Sequence, residues 1–198
     1  MVTTIIPTIG RDTLWTRALP SVMAQTTDWR CIIVGDGVDL PPVDDPRVTV
    51  LTIPRQAYPD DARERWMIGG TAAFNAGLDL ATTEWVSYLA DDDAYHPGHH
   101  GRLLRHARYV DVAYGLSRAG EQFYGHWPPD PIGIVQGSYI MRRSTGLRAR
   151  ETVGSRSWDA LWWEDALAAG LRFAFADELV HYYHPQADSL KYHGTRTW

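Results

Sequence analysis

An apolar run, Trp85 to Ala90, ends in three consecutive carboxylates, Asp91, Asp92 and Asp93. Three adjacent acids repel one another and raise one another's pKa values unless something positive sits on them. The run therefore reads as a buried strand whose carboxyl end opens at an edge of the fold. The ligand such an end suits is a hard cation, Mg2+ or Mn2+, shared with substrate phosphates. The competing reading is a solvated turn or a helix cap, where Asp is common.

The rest of the chain alternates short β-rich runs with helical patterns. Thr3 to Ile6 is a strand stopped by Pro7, and Asp12 offers an N-cap for an amphipathic helix through Gln25 that Pro20 shortens or kinks. Trp29 to Val34 and Val48 to Ile53 read as further strands, separated by a Pro- and Asp-rich loop over residues 40–46. Residues 54–69 have no clear period and enter a helix from Thr71 to Leu80. Pro97 begins a helix through Arg108, and Val110 to Leu116 and Ile132 to Met141 are strands. Ser157 caps a helix to Ala169 with Gly170 as its left-handed stop, and Leu171 to Tyr183 is a last extended region. Strands and helices alternating in this way predict an α/β fold with a mainly parallel central sheet, right-handed crossovers and flanking helices. One domain over residues 1–198 is expected, with 185–198 as a C-terminal tail.

In an open sheet of this kind ligands bind at the carboxyl ends of the strands. Thr8, Asp36 and Asp91 to Asp93 all fall there, and that coincidence says more than any one motif. No G-x-G-x-x-G follows the first strand and no G-x-x-x-x-G-K-[ST] occurs, which argues against a dinucleotide oxidoreductase and a P-loop enzyme. The formal net charge of -5 argues against a general nucleic-acid or membrane-surface binder. The single cysteine, Cys31, cannot form an internal disulfide, and no segment approaches the length of a membrane span. A soluble, cytoplasmic protein is expected.

Five landmarks in order resemble family 2 glycosyltransferases with the GT-A fold. They are Thr4-Ile5-Ile6-Pro7-Thr8, Ile32-Ile33-Val34-Gly35-Asp36-Gly37, Gly70 to Leu78, Leu89-Ala90-Asp91-Asp92-Asp93, and Trp163-Glu164-Asp165. The resemblance implies a metal-dependent transfer of a sugar from a nucleoside diphosphate donor, a UDP-sugar first, to an acceptor hydroxyl with inversion. It implies that Pro7 and Thr8 border the nucleotide, that Asp36 bonds the base, that Asp91 or Asp92 touches the ribose, and that Asp93 holds Mn2+ or Mg2+. Two departures bear on this. Only one carboxylate follows the second strand, and Ala90 stands where many members carry an acid, so roles within the triplet can shift by one.

The chemistry needs a Lewis acid on the leaving diphosphate and a carboxylate that takes the acceptor proton. By the resemblance Asp165 is that base, with Glu164 beside it on the sugar or acceptor side. The competing reading makes both ordinary acids in the N-terminal half of a helix. His184, with His181 as runner-up, is the implied C-terminal ligand to the metal. His96, His99 and His100 fit a surface helix start as well as a zinc site, and no Cys or H-E-x-x-H partner supports zinc. The basic run Arg142 to Arg150 reads either as a solvated loop or as a seat for an anionic acceptor such as a nucleic acid. The acceptor is otherwise open among glycans and small molecules, and a homodimer is one way to complete its site. Trp127, Trp158, Trp162 and Trp163 offer faces for stacking, against a default of core packing. The alternatives to a transferase are a nucleotide- or carbohydrate-binding module without turnover and a nucleotidyltransferase.

Overall fold

The computed structural model describes residues 1–150 and 156–185. Strand β1 (Val2–Thr8) lies between β2 (Trp29–Asp36) and β4 (Trp85–Tyr88), with β3 (Val48–Ile53) outside β2. All three pairings are parallel, so the carboxyl ends of four strands emerge along one edge. Pro7 does not stop β1. It stays in register with Val34, beyond the last β1–β4 pair at Ile5 and Tyr88, where its missing N–H faces little of the ladder.

The other half of the sheet is mixed, although parallel pairing predominates over the sheet as expected. Beyond β4 come β8 (Tyr139–Arg142), β6 (Val112–Ala119), β9 (Phe173–Tyr182) and β5 (Ala94–Tyr95), and β7 (Gln122–Tyr124) folds back on β6. Here β4–β8, β6–β8, β5–β9 and β6–β7 are antiparallel and only β6–β9 is parallel. The cause is local. No helix lies between β7 and β8, and without a crossover the chain can only return antiparallel to β6.

Helices cover both faces because the strands are apolar on both. On one face lie α3 (Thr71–Leu80) and α5 (Trp158–Ala168), which bury Phe74, Leu78, Trp162 and Trp163 against Ile5, Val34, Tyr114 and Tyr139. Fully burying a side chain of this size contributes about 1.5–3 kcal/mol. α3 approaches β1 so closely that a Cβ at Gly77 would overlap Ile5 Cγ2. On the other face a wide π turn (Leu14–Ala18) continues into α1 (Leu19–Met23) over Ile6, Ile33 and Cys31, and α4 (His99–His106) packs on β6, β8 and β9. The short α2 (Ala62–Met67) is capped by Asp61, whose side chain accepts from the Arg63 and Glu64 amides.

α4 begins two residues after Pro97, and its first two residues are not surface histidines. His99 and His100 are fully buried. His99 stacks on Tyr95 at 3.7 Å between centroids, with Nδ1 3.0 Å from the Val180 carbonyl, and His100 Nε2 lies 3.2 Å from Thr4 Oγ1. Burial holds the His99 pKa well below its ordinary value and that of His100 at about 3. Both imidazoles are neutral in the fold and gain a proton on unfolding below pH 6.5. Their contribution is therefore complete above pH 6.5 and is lost as pH falls from there toward 3. Chemical denaturation between pH 4 and 7 will show stability rising with pH, and His100→Leu will have a shallower slope; equal slopes in the two proteins would contradict this account.

Candidate active site

The carboxyl edge of the parallel half opens into a cleft of about 800 Å³ that collects Thr8, Asp36, Asp91, Asp92, Asp93 and His184. Asp91 is buried and each of its oxygens is taken. Thr8 Oγ1 donates to Oδ2 at 2.6 Å, and Arg11 Nη1 donates to Oδ1 at 2.6 Å. Thr8 is itself fixed by the Gly10 amide, which donates to its hydroxyl at 2.9 Å in a turn where Gly10 has φ +88°. Burial opposes the Arg11 charge, yet Asp91 and Asp92 together hold its pKa above the ordinary value.

Asp92 is the most open of the three, with its side chain 14% exposed against 3% for Asp91 and Asp93. Arg11 Nη1 reaches it at 3.3 Å, and Arg17 Nη1 donates to its carbonyl at 2.6 Å. Asp93 is turned inward. Its Oδ1 accepts from the His184 amide at 2.7 Å, and its Oδ2 lies 3.3 Å from His181 Nε2. The His181 ring is steadied by Ser117 Oγ, 3.0 Å from Nδ1. His184 lines the cleft with Nδ1 buried and without a hydrogen-bond partner, and burial with the nearby Arg17 charge lowers its pKa. A neutral imidazole with a buried, unpaired nitrogen beside carboxylates is the donor set of a metal ligand. The described residues contain no group of three or more His, Cys, Asp or Glu that could hold a metal ion alone. The set present therefore fits a hard cation completed by phosphate oxygens.

Asp36 ends β2 almost wholly buried, under the loop that follows β3. The Gln56 amide donates to its Oδ1 at 2.6 Å and the Tyr58 hydroxyl to its Oδ2 at 2.5 Å, while Arg55 Nη1 donates to its carbonyl at 2.9 Å. Burial and then Asp36 raise the Tyr58 pKa to about 12, so Tyr58 stays a donor. Gly37 makes this closure feasible: it has φ +65°, and a Cβ there would stand 2.6 Å from Arg55 Cβ.

The rest of the lining comes from the start of α5, the end of β7, the loop before β8 and the residues after β9. It includes Ser157, Trp158, Asp159, Gln136, Tyr124 and Tyr183. Tyr88 forms the floor, its ring edge-on to Phe74 and Trp158 at 5.3 and 5.2 Å. Burial raises the Tyr88 pKa well above 10, helped by Asp92, Asp91, Asp93 and Asp159, so its hydroxyl sits within the field of both acid groups.

Asp165 and Glu164 do not line this cleft. Asp165 accepts from Arg150 Nε at 2.8 Å and pairs with the same guanidinium through Nη2, and Glu164 pairs with Arg156. The acid that faces the cleft from this helix is Asp159, in its first turn. The basic run is likewise committed elsewhere. Arg142 pairs with Glu84 and covers Trp85, Arg148 pairs with Asp79, and no residue from Arg142 to Arg150 lines the cleft. Of the four tryptophans singled out, Trp158 lines the cleft, Trp162 and Trp163 are core, and Trp127 is exposed at 58%. Trp66, Tyr58, Arg11 and Asp159 were not expected there. Asp159 follows the Ser157 N-cap by two residues, and that was the available signal for it.

A twisted sheet with a parallel half, helices on both faces and an acid-lined cleft at the parallel carboxyl ends defines the GT-A class of fold. The chain belongs to glycosyltransferase family 2: the model described as Glycosyl transferase family 2 matches residues 3–158. Among solved structures it is similar to S. aureus TarS 1-349 in complex with UDP, with a TM-score of 0.67 and 15% identity over 96% of this chain and 62% of that one. It is similar also to mannosyltransferase PcManGT from Pyrobaculum calidifontis in complex with GDP-Man and Mn2+, with a TM-score of 0.66 and 15% identity over 94% of this chain and 57% of that one. At these identities the likeness is one of fold, and the chain spans about three fifths of either structure. Comparison with curated proteins finds no significant match. No helix among the described residues is long and apolar enough to cross a membrane.

The clamp on Asp91 has a measurable consequence. Thr8→Val keeps the shape but removes the donor from a buried carboxylate, and should destabilise the metal-free protein by about 1–3 kcal/mol in chemical denaturation. A loss below about 0.5 kcal/mol would mean that the bond carries none of the burial of Asp91.

Proposed function

We propose that the chain transfers a sugar from a nucleoside diphosphate donor to an acceptor hydroxyl with inversion, and that Asp159 rather than Asp165 takes the acceptor proton. The observation that carries this reading is the cleft itself, which holds Asp36, the acid triplet, His184 and Asp159 in one volume. The nucleoside lies at the Asp36 end. Each Asp36 oxygen already accepts one hydrogen bond, which favours a base that presents a single ring N–H, uracil over guanine. Pro7 and Thr8 border the nucleotide, as both line that wall. Because Thr8 and Arg11 occupy Asp91, its role is to fix the strand end and to hold Arg11, and its contact with the ribose recedes.

Asp92, the most open acid, and His184 through Nδ1 would hold the cation, Mn2+ or Mg2+, with Asp93 orienting His184 from behind. This moves the metal-ligand role by one position from Asp93. When bound, the cation supplies Lewis-acid neutralisation of the leaving diphosphate. Arg11, half exposed, pairs with both Asp91 and Asp92 and can add a charge-assisted hydrogen bond to a phosphate oxygen. Asp159 Oδ1 accepts from the Ala160 amide at 2.9 Å, which orients the carboxylate and leaves Oδ2 to receive the proton of the attacking hydroxyl. An inverting attack requires a carboxylate on the face away from the diphosphate, and Asp159 is the acid that α5 contributes to the cleft. A binding module without turnover would need no acid there.

Asp159→Asn should lower kcat about 10²- to 10⁴-fold while nucleoside diphosphate binding stays unchanged, and Asp165→Asn should retain near-wild-type turnover. Assays with UDP- and GDP-sugars in Mn2+ read both. Wild-type turnover in Asp159→Asn would return the base role to Asp165, and no turnover in the wild type would return the chain to the binding-module reading. Calorimetric titration of UDP should require Mn2+ or Mg2+ in the wild type, and Asp92→Asn should bind UDP much more weakly even with the metal present; metal-independent UDP binding in the wild type would remove the cation from the site.

A further inference from the structure

Gln136 stands out among the described residues as the side chain with two buried polar atoms and a hydrogen-bond partner for neither. It is 7% exposed and lines the cleft. Its neighbour Gly137 has φ +98° and lies so close to His181 that a Cβ would stand 2.6 Å from Nε2. That puts Gln136 beside the imidazole facing Asp93, at the diphosphate end. On its other side is Tyr139, fully buried, whose pKa is raised chiefly by burial and also by the charge of Asp159. A weak hydrogen bond from Gln136 tempers that shift, although neither group meets a strict hydrogen-bond geometry. The amide thus lines the same cleft as the strand-end acids and Asp159, the volume in which the transferred sugar must sit.

A buried amide left short of partners is unfavourable, and an apolar side chain of the same size would fill the wall without that penalty. Tyr139 can take at most one N–H of the amide, which leaves Oε1 and the second N–H unmatched. What remains faces the cleft. An amide presents an acceptor and a donor side by side, and the complement of that pair is two adjacent hydroxyls, one donating and one accepting.

We infer that Gln136 reads the transferred sugar of the donor, Oε1 accepting from one ring hydroxyl and Nε2–H donating to its neighbour, so that the chain selects a pyranosyl donor with a vicinal diol on that edge. The inference rests on the transferase reading and adds to it the residue that sets sugar specificity.

The test is a calorimetric series in Mn2+ with wild type, Gln136→Leu and Gln136→Glu, titrated with UDP, GDP, UDP-glucose, UDP-GlcNAc and GDP-mannose, and then with the monodeoxy analogues of whichever sugar binds best. UDP or GDP alone should bind all three proteins equally. The wild type should bind two adjacent monodeoxy analogues about tenfold or more weaker than the parent, because a site built to bond a hydroxyl rejects the analogue lacking it. Gln136→Leu should bind the parent sugar weaker by a similar factor and no longer distinguish the analogues, and Gln136→Glu should keep discrimination at one hydroxyl only. Equal binding of all analogues by the wild type, or full discrimination in Gln136→Leu, overturns the inference and leaves the transferase reading standing. No binding of UDP or GDP by the wild type overturns both. Should Gln136→Leu fail to fold, the wild-type series and Gln136→Glu decide the matter alone.

Discussion

Three carboxylates at the end of one buried strand are the constraint around which the rest of this molecule is arranged. Isolated, such charges cannot be withdrawn from water, and the chain answers each in a different way. Asp91 receives a hydroxyl from β1 and a guanidinium from the loop after it. Asp93 receives a backbone amide and faces an imidazole from the end of β9. Asp92 is left the most open, with Arg11 beside it. The same interactions that make burial tolerable thereby give the three acids three different surroundings, which three identical letters in a row could not show.

The helix α5 gives the complementary lesson. Asp159 and Asp165 are six residues apart, which is about 9 Å along the axis and about 120° around it at 3.6 residues per turn. The two acids therefore cannot serve the same cleft from the same straight helix. Trp163-Glu164-Asp165 resembles a family pattern in its letters, but it lies in the second and third turns, where Glu164 pairs with Arg156 and Asp165 with Arg150. Asp159 sits in the first turn, where the unsatisfied amides and the positive end of the dipole favour a carboxylate and where the helix lines the cleft.

What could be read from the sequence follows from how local its causes are. β3 and α3 were expected at Val48–Ile53 and Thr71–Leu80 and lie there, because alternation and helical period act over a few residues. Thr8, Asp36 and the triplet were expected at strand ends and line the cleft, because parallel strands bring their carboxyl ends to one edge. The antiparallel half was not legible. Its pairings join residues far apart in the chain, and the strand expected over Ile132 to Met141 begins only at Tyr139 because its first residues turn back to form the cleft wall. His99 and His100 were misjudged for a related reason. Their burial depends on β9 arriving over α4, and nothing near residue 100 announces it.

That arrival also closes the site. β5, two residues long, pairs antiparallel with β9 in the register Ala94 to Tyr182 and Tyr95 to His181. Asp93 immediately precedes this short ladder on one side, and His184 follows it by two residues on the other. The pairing thus fixes the separation between the triplet and the chain's last described turn to within a residue. A one-residue slip would carry His181 from the buried face to the opposite face and remove both the partner of Asp93 Oδ2 and the amide on Oδ1. Tyr95 holds the register, since its hydroxyl lies 2.6 Å from Ser87 Oγ and donates to the Tyr88 carbonyl at 2.9 Å, tying β5 back to β4. The acid end of the central strand and the imidazole end of the last one are thus tied together through a buried tyrosine, so the geometry of this end of the cleft depends on packing beneath it by a side chain whose hydroxyl is spent on β4.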